Sequence, residues 1–265
     1  MTGDNGPWRT ALVTGASSGI GRAFAVGLAG RGADLVVVAR RRSELDQLAA
    51  DLIGAHGRSV EVLPADLTDP AERAVVEARL ADPERPVDLV VNAAGFGTQG
   101  FFGELPADRE EQEIQLNVVA LVRLTRAALP GMIGRKRGAV VNVSSLAGDQ
   151  AIPMWATYSA TKAYVTTFSR AVNAELKRTR VTVHVVRPGF TRTGFHQQSG
   201  FRREMIPGPA WMSAEQVAER ALESVARGRG ESIPGLHNRG VALASRLSPW
   251  ALTRQVLRIA TRDMR

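Results

Sequence analysis

Short runs of Val, Leu and Ala recur along the chain, each followed by a longer stretch with helical spacing, and this alternation constrains the fold more than any other feature. Residues 10–13, 35–39, 60–63, 89–92, 140–143 and 181–186 read as strands. Residues 21–29, 43–52, 71–80, 114–129, 158–177 and 214–226 read as amphipathic helices. The strands are continuously apolar rather than alternating, as expected where both faces of a sheet are covered. Strand–helix alternation gives right-handed βαβ units, hence an α/β fold with a single doubly wound parallel sheet and helices on both faces. Ligands of such a sheet bind outside the carboxyl ends of its strands. The informative loops are therefore those after Val13, Ala39, Leu63, Asn92, Val143 and Val186.

The first of these loops reads Thr14-Gly15-Ala16-Ser17-Ser18-Gly19-Ile20-Gly21. Its glycines permit positive φ and a close approach of backbone to a diphosphate. A helix starting near Gly19 would point free N–H groups and a partial positive charge at that anion. The second strand ends Ala39-Arg40-Arg41-Arg42. An acid here would bind the 2′-hydroxyl of NAD, whereas arginine accommodates a 2′-phosphate in bidentate fashion. The expected cofactor is NADP(H), with Arg40 as the main contact and Arg41 the second. Asp66-Leu67 follows the third strand, and Asp66 has two open readings: acceptor for an adenine amino group, or acid at the start of the helix near Pro70.

Tyr158 and Lys162 lie four residues apart in a helical pattern, so both side chains share a face. A phenol ionises near 10, too high for acid–base work at neutral pH, and a neighbouring ammonium would lower that value. Only three lysines occur in the chain, Lys136, Lys162 and Lys177.

Residues 14–21, Asn92-Ala93-Ala94-Gly95, Asn117, Ser145, Tyr158, Lys162 and Pro188-Gly189, in that order and spacing, resemble the short-chain dehydrogenase/reductase family. The match covers roughly residues 9–194, with weaker similarity to about 235. The resemblance implies a Rossmann-type sheet and the interconversion of a carbonyl and an alcohol by hydride transfer. It implies that Tyr158 is the general acid in reduction, that Lys162 lowers its pKa and holds the nicotinamide ribose, and that Ser145 orients the substrate oxygen. Asn117 would help hold a proton-relaying water. Asn92 would support the fourth strand's end, and Gly95 would let the backbone approach the cofactor. Pro188-Gly189 would shape the loop beside the nicotinamide, with Thr191 and Thr193 candidates for its carboxamide or the diphosphate. Ala93 departs from the family, which commonly has a second asparagine there. Cofactor contacts are thus expected from Gly15, Ser17, Ser18, Gly19, Ile20, Gly21, Arg40, Arg41, Asp66, Leu67, Asn92, Ala93, Gly95, Tyr158, Lys162, Pro188, Gly189, Thr191 and Thr193.

Six of the eight phenylalanines, at 96, 101, 102, 190, 195 and 201, follow the fourth and sixth predicted strands. Together with Trp155 and Trp211 they suggest an apolar substrate wall. Phe96, Ser145, Trp155, Phe190, Phe195 and Trp211 are the expected pocket residues, for a bulky apolar ketone, aldehyde or secondary alcohol. Residues 194–212 read as a lid. His56, His184, His196 and His237 show no ligand spacing, so no metal site is expected. His184 reads as a packed core residue.

Composition enters at the C-terminus. The chain carries +8 overall, and residues 236–265 hold six arginines against the single acid Asp263. The division expected is a catalytic domain over 1–235 and a basic amphipathic extension over 236–265. In that extension Ser248-Pro249 would start a helix bearing Leu252, Val256 and Ile259 on one face. Such a helix is a candidate for weak membrane-surface contact, or for packing on the catalytic domain or a partner subunit. A nucleic-acid partner is not expected, because the charge is confined to one end without interleaved stacking aromatics. The rival to an enzyme is a non-catalytic NADP-binding regulator or scaffold. Intact Ser145, Tyr158 and Lys162 argue against it. No secretory leader or spanning helix is read from the sequence, and the absence of cysteine fits a cytoplasmic protein. The family resemblance implies a homodimer or homotetramer.

Overall fold

A computed structural model describes residues 7–195 and 208–247. Seven strands form one parallel sheet in the order β3-β2-β1-β4-β5-β6-β9. They are β1 (Thr10–Thr14), β2 (Asp34–Ala39), β3 (Val60–Pro64), β4 (Leu89–Asn92), β5 (Gly138–Val143), β6 (Val181–Val186) and β9 (Glu231–Ser232). The two-residue strands β7 (Thr191–Arg192) and β8 (Met212–Ser213) pair with each other beside the main sheet. The strand order reverses between β1 and β4, the crevice where a doubly wound sheet takes its ligand.

Period-two alternation along buried strands builds two cores. Ala11, Val13, Leu35, Val37, Leu89, Val91 and Val141 face one side, where they meet α1 (Gly19–Ala29), α2 (Arg42–His56) and α7 (Ala214–Ala226). Leu12, Val36, Val38, Val90 and Val140 face the other side, against α3 (Pro70–Ala81) and α5 (Leu121–Arg135). Each strand is apolar throughout because it feeds both cores.

The predicted strands lie within a residue or two of those observed; β7, β8 and β9 are too short to leave a periodic signal. The main helical difference is at 114–129. The helix runs from Ala107 to Arg135, as α4 (Ala107–Ile114), a π-helical segment (Gln115–Ala120) and α5, and it passes through Pro130. By length and mean hydropathy this run is apolar enough to cross a bilayer. Its α5 part packs on β4, β5 and α3, and its α4 part packs on α6 (Ala156–Glu175), so it forms part of the helical layer. The last described helix, α8 (Leu236–Leu247), lies before the one expected after Ser248, which falls outside the described residues with Leu252, Val256 and Ile259.

Two polar knots fix the carboxyl ends of the central strands. Buried Thr14 accepts the N–H groups of Ala93 and Ala94 at 3.1 Å each and donates to the Val91 carbonyl, tying β1 to the loop after β4. Asn92 donates to Asn142 Oδ1 at 2.9 Å and to Thr125, while Asn142 donates to Ser169, linking β4, β5, α5 and α6. Ala93 needs no side-chain partner here, because Thr14 holds its backbone.

Candidate active site

The loop between β1 and α1 is close-packed on backbone. Gly15 has φ +67, and a Cβ there would lie 2.9 Å from Ala94. A Cβ on Gly21 would sit 2.3 Å from the Gly15 carbonyl oxygen. Ser18 is the N-cap of α1 but makes no side-chain cap, so the first-turn N–H groups of Gly19 to Gly21 receive no hydroxyl from it. Ile20 packs against the core. Such uncapped amides suit an anion. Arg40 is 73% exposed and its only ion pair among the described residues is with Asp66, at 3.9 Å. Arg41 pairs with Glu44 at 2.6 Å and reaches Ser17 Oγ at 3.5 Å. Three cationic or polar side chains thus border the β1 and β2 loops.

The structure gives the helix cap to another residue than Asp66. Asp69 is the N-cap of α3, accepting from the N–H groups of Ala71 and Glu72, whereas Asp66 binds the hydroxyl and N–H of Thr68. Asp66 is not the helix cap. Leu67 is buried in the second core, so its side chain faces away from the crevice. Thr191 is likewise buried, with its hydroxyl on the Gly189 carbonyl. Thr193 instead lies against the glycine loop: a Cβ on Gly19 would be 3.2 Å from it. Gly189 is pressed on Asn238 of α8, where a Cβ would lie 2.2 Å from Asn238 Oδ1. Asn238 donates to the Pro234 carbonyl at 2.7 Å. Pro188 accepts the Leu146 N–H at 3.0 Å, which joins its loop to the one bearing Ser145.

Ser144 and Ser145 are adjacent but differently placed. Ser144 is buried and donates to the Lys162 carbonyl at 2.7 Å, with Thr166 Oγ1 at 2.8 Å. Ser145 is partly exposed, accepts the Ala147 N–H at 3.1 Å, and lies near enough to the Tyr158 phenol to pull its ionisation down. Tyr158 and Lys162 share a face of α6, the ammonium 5.7 Å from the phenol ring centroid. Lys162 is 6% exposed and donates to the Val143 carbonyl at 3.0 Å. Trp155 and Phe195 wall the Tyr158 ring at centroid distances of 5.4 and 5.3 Å. Gly97 closes the remaining side; a Cβ there would be 2.9 Å from the ring.

These walls act on the ionisation of both groups. Burial pushes the Tyr158 phenol up, to about 12, against the downward pull of the Ser145 hydrogen bond; the negative charge of Glu113 adds to the rise. Burial pushes the Lys162 amine down, to about 8, against the pull of Glu113 in the other direction. In both groups removal from water is the largest cause of the shift.

Asn117 lies in the π-helical segment, an irregularity often found at functional sites. Its amide clamps Phe96, accepting from the N–H at 3.2 Å and donating to the carbonyl at 2.8 Å, and also reaches Thr161. Gly95 is squeezed between Asn117 and Lys162. The expected pocket residues divide: Trp155 and Phe195 flank Tyr158, Phe190 pairs with Trp211 at 5.5 Å, and the Arg109 guanidinium covers Phe96 at 4.5 Å. Residues 196–207, including His196, Phe201 and much of the expected lid, fall outside the described residues. His184 is fully buried between the Arg229 carbonyl and Ser232. Sequence reasoning missed Glu113 and Thr98, which hold Asn117 and the loop after β4. The spacing of Glu113 four residues before Asn117 was the available signal.

Comparison with known proteins gives the family. The sequence profile described as short chain dehydrogenase matches residues 9–203. A short-chain dehydrogenase from Sphingobium yanoikuyae in complex with NADPH superposes with TM-score 0.82 at 38% identity, over 94% of each chain. The bulky-bulky ketone specific alcohol dehydrogenase from Comamonas testosteroni superposes with TM-score 0.79 at 32% identity, over 95% of this chain and 94% of that one. A very-long-chain 3-oxoacyl-CoA reductase of Anas platyrhynchos is 34% identical over 71% of this chain and 61% of its own length.

The two serines predict opposite phenotypes. Ser144→Ala should cost about 1–3 kcal/mol of stability by stripping a buried hydrogen-bonding group. Ser145→Ala should cost less than about 1 kcal/mol, its hydroxyl capping only a solvent-accessible turn. Urea denaturation of both variants checks the order; a larger loss in Ser145→Ala contradicts it.

Proposed function

The chain belongs to the short-chain dehydrogenase family, and from that premise we propose that it is an NADP(H)-dependent reductase of a bulky apolar ketone or aldehyde, with Tyr158 as proton donor. Membership makes it an oxidoreductase of carbonyl and alcohol groups. The observation that carries the finer reading is the placement of the Tyr158 phenol beside the buried Lys162 amine and between the Trp155 and Phe195 rings, with Ser145 close enough to pull its ionisation down.

The residues fit a dinucleotide phosphate by their donor chemistry. Gly15, Ser17, Ser18, Gly19 and Ile20 would hold the diphosphate at the start of α1, with Thr193 beside them. Arg40 and Arg41 would take the 2′-phosphate, and Lys162 a ribose hydroxyl. Gly95, Pro188 and Gly189 shape the floor for the ring. When bound, the nicotinamide supplies the hydride. Tyr158 and Ser145 present two hydroxyl donors to one substrate oxygen, where negative charge develops as the carbonyl is reduced. The elevated phenol pKa keeps the Tyr158 proton in place until that oxygen becomes basic enough to take it. Trp155 and Phe195 exclude water from this exchange. NADP(H) is supported by the exposed arginines at the end of β2 and by the NADPH complex of the S. yanoikuyae relative. A bulky apolar substrate is supported by the aromatic walls and by the ketone and long-chain acyl specificities that the relatives' names carry.

The test is oxidation of NADPH by the wild-type protein across a panel of bulky ketones, aldehydes and 3-oxoacyl thioesters. Turnover should fall by ~10²–10⁴-fold in Tyr158→Phe while NADPH still binds. Full activity in that variant would refute the assignment. In the same assay Arg40→Asp should shift preference from NADPH toward NADH, and an unchanged preference would remove Arg40 from the 2′-phosphate site.

A further inference from the structure

Glu110, Glu113 and Asn117 recur at i, i+3 and i+7, so all three lie on the face of the α4 run that meets α6. Glu113 is 0% exposed and Glu110 is 8% exposed. Carboxylates are almost never buried to this degree unless paired. Yet neither has an ion-pair partner within 4.0 Å among the described residues. Glu113 Oε2 accepts both the N–H of Thr98 at 2.9 Å and its hydroxyl at 2.8 Å. Its Oε1 lies 3.5 Å from Asn117 Nδ2. Glu110 accepts the hydroxyl of Thr157, the residue before Tyr158, and its other oxygen is buried without a hydrogen-bond partner.

Asn117 and Lys162 both lie against Gly95, beside this acidic stripe. A single point, the Cβ position of Gly95, lies 2.8 Å from Asn117 Oδ1 and 3.6 Å from Lys162 Nζ. The other charged or titratable groups around Glu113 are Glu110 on its own helix and Lys162 and Tyr158 on α6; the loop after β4 contributes only Thr98. Among the described residues the cation coupled to this buried acid is Lys162, which is itself removed from water and donates to the Val143 carbonyl. Charges buried together in a medium of low polarity stabilise each other over distances that water would screen.

We propose that Glu113 is a positioning residue for the reaction: a buried counter-charge, packed against Asn117, that holds Lys162 in its ammonium form beside Tyr158. The inference deepens the reductase reading and rests on it for the role of Lys162. Its signs are definite. An ionised Glu113 favours the charged amine and disfavours the phenolate, so it keeps both Lys162 and Tyr158 protonated. Neutralising Glu113 should move both ionisations to lower pH.

The test uses the lysine count. With three lysines in the chain, ¹³Cε-lysine labelling gives a spectrum in which Lys162 is compared with the exposed Lys136 and Lys177. In Glu113→Gln the Lys162 resonance should titrate on the order of one pH unit lower than in the wild-type protein, with Lys136 and Lys177 unmoved. Glu113→Asp should restore part of the shift. An unmoved Lys162 overturns the proposal. If Glu113→Gln does not fold, the wild-type spectrum decides: the Lys162 resonance should show a second inflection in the acid range as Glu113 protonates, and a single inflection overturns the proposal. In turnover, the alkaline limb of kcat/KM should move down by the same amount in Glu113→Gln, whereas a purely structural role would lower activity with the limb in place. The lysine titration needs no substrate, so its failure is distinguishable from failure of the reductase assay.

Discussion

Removal from water of one phenol and one amine is the constraint on which the rest of the site depends. Tyr158 is walled by Trp155, Phe195 and Gly97, and Lys162 is sealed beneath Gly95 and Asn117. In that setting desolvation is the largest influence on both groups: burial pushes the phenol up and the amine down. The proposed reduction calls for a donor that keeps its proton until charge appears on the substrate oxygen, and burial of the phenol beside Ser145 suits that role.

The fold serves this enclosure by bringing distant loops together at one edge of the sheet. Thr14 ties the end of β1 to the loop after β4, and Asn117 clamps that same loop at Phe96. The Ser145 and Pro188 loops are joined by a backbone bond, and α8 closes on Gly189 through Asn238. Further back, Arg187 is almost fully buried between Asp149 and Glu231, linking the segment after Ser145 to β9. The described part of the C-terminal region is thus packed on the site, with Gln150 also bonded to Ser245 of α8.

Much of this was legible in the sequence because it follows from local periodicity. Strands apolar on both faces, helices between them and glycines at the first turn place the crevice without tertiary information. The i, i+4 spacing of Tyr158 and Lys162 places them on one helical face. What the sequence could not convey was the dielectric. The pairing suggests a phenol lowered by its lysine; burial by Trp155, near in sequence, and Phe195, remote from it, pushes the other way. Glu113 lies outside the helix read at 114–129, and its burial comes from the meeting of α4 with α6. Short pairings such as β7 with β8 and β6 with β9 depend on tertiary neighbours and leave no periodic trace. The family resemblance singles out Ser145, and the structure separates it from its neighbour: Ser144 donates into the α6 interface and Ser145 lies beside the phenol.

The most direct measurement of the central claim is the ionisation of Tyr158 itself. The chain has two tyrosines, and Tyr164 is 46% exposed on the outer side of α6, so Tyr164→Phe leaves Tyr158 as the sole phenol. Tyrosinate absorbance followed against pH in that variant should appear only above the free-phenol value of about 10. Ionisation at or below that value would show that Lys162, rather than burial, governs the hydroxyl, and would contradict the account.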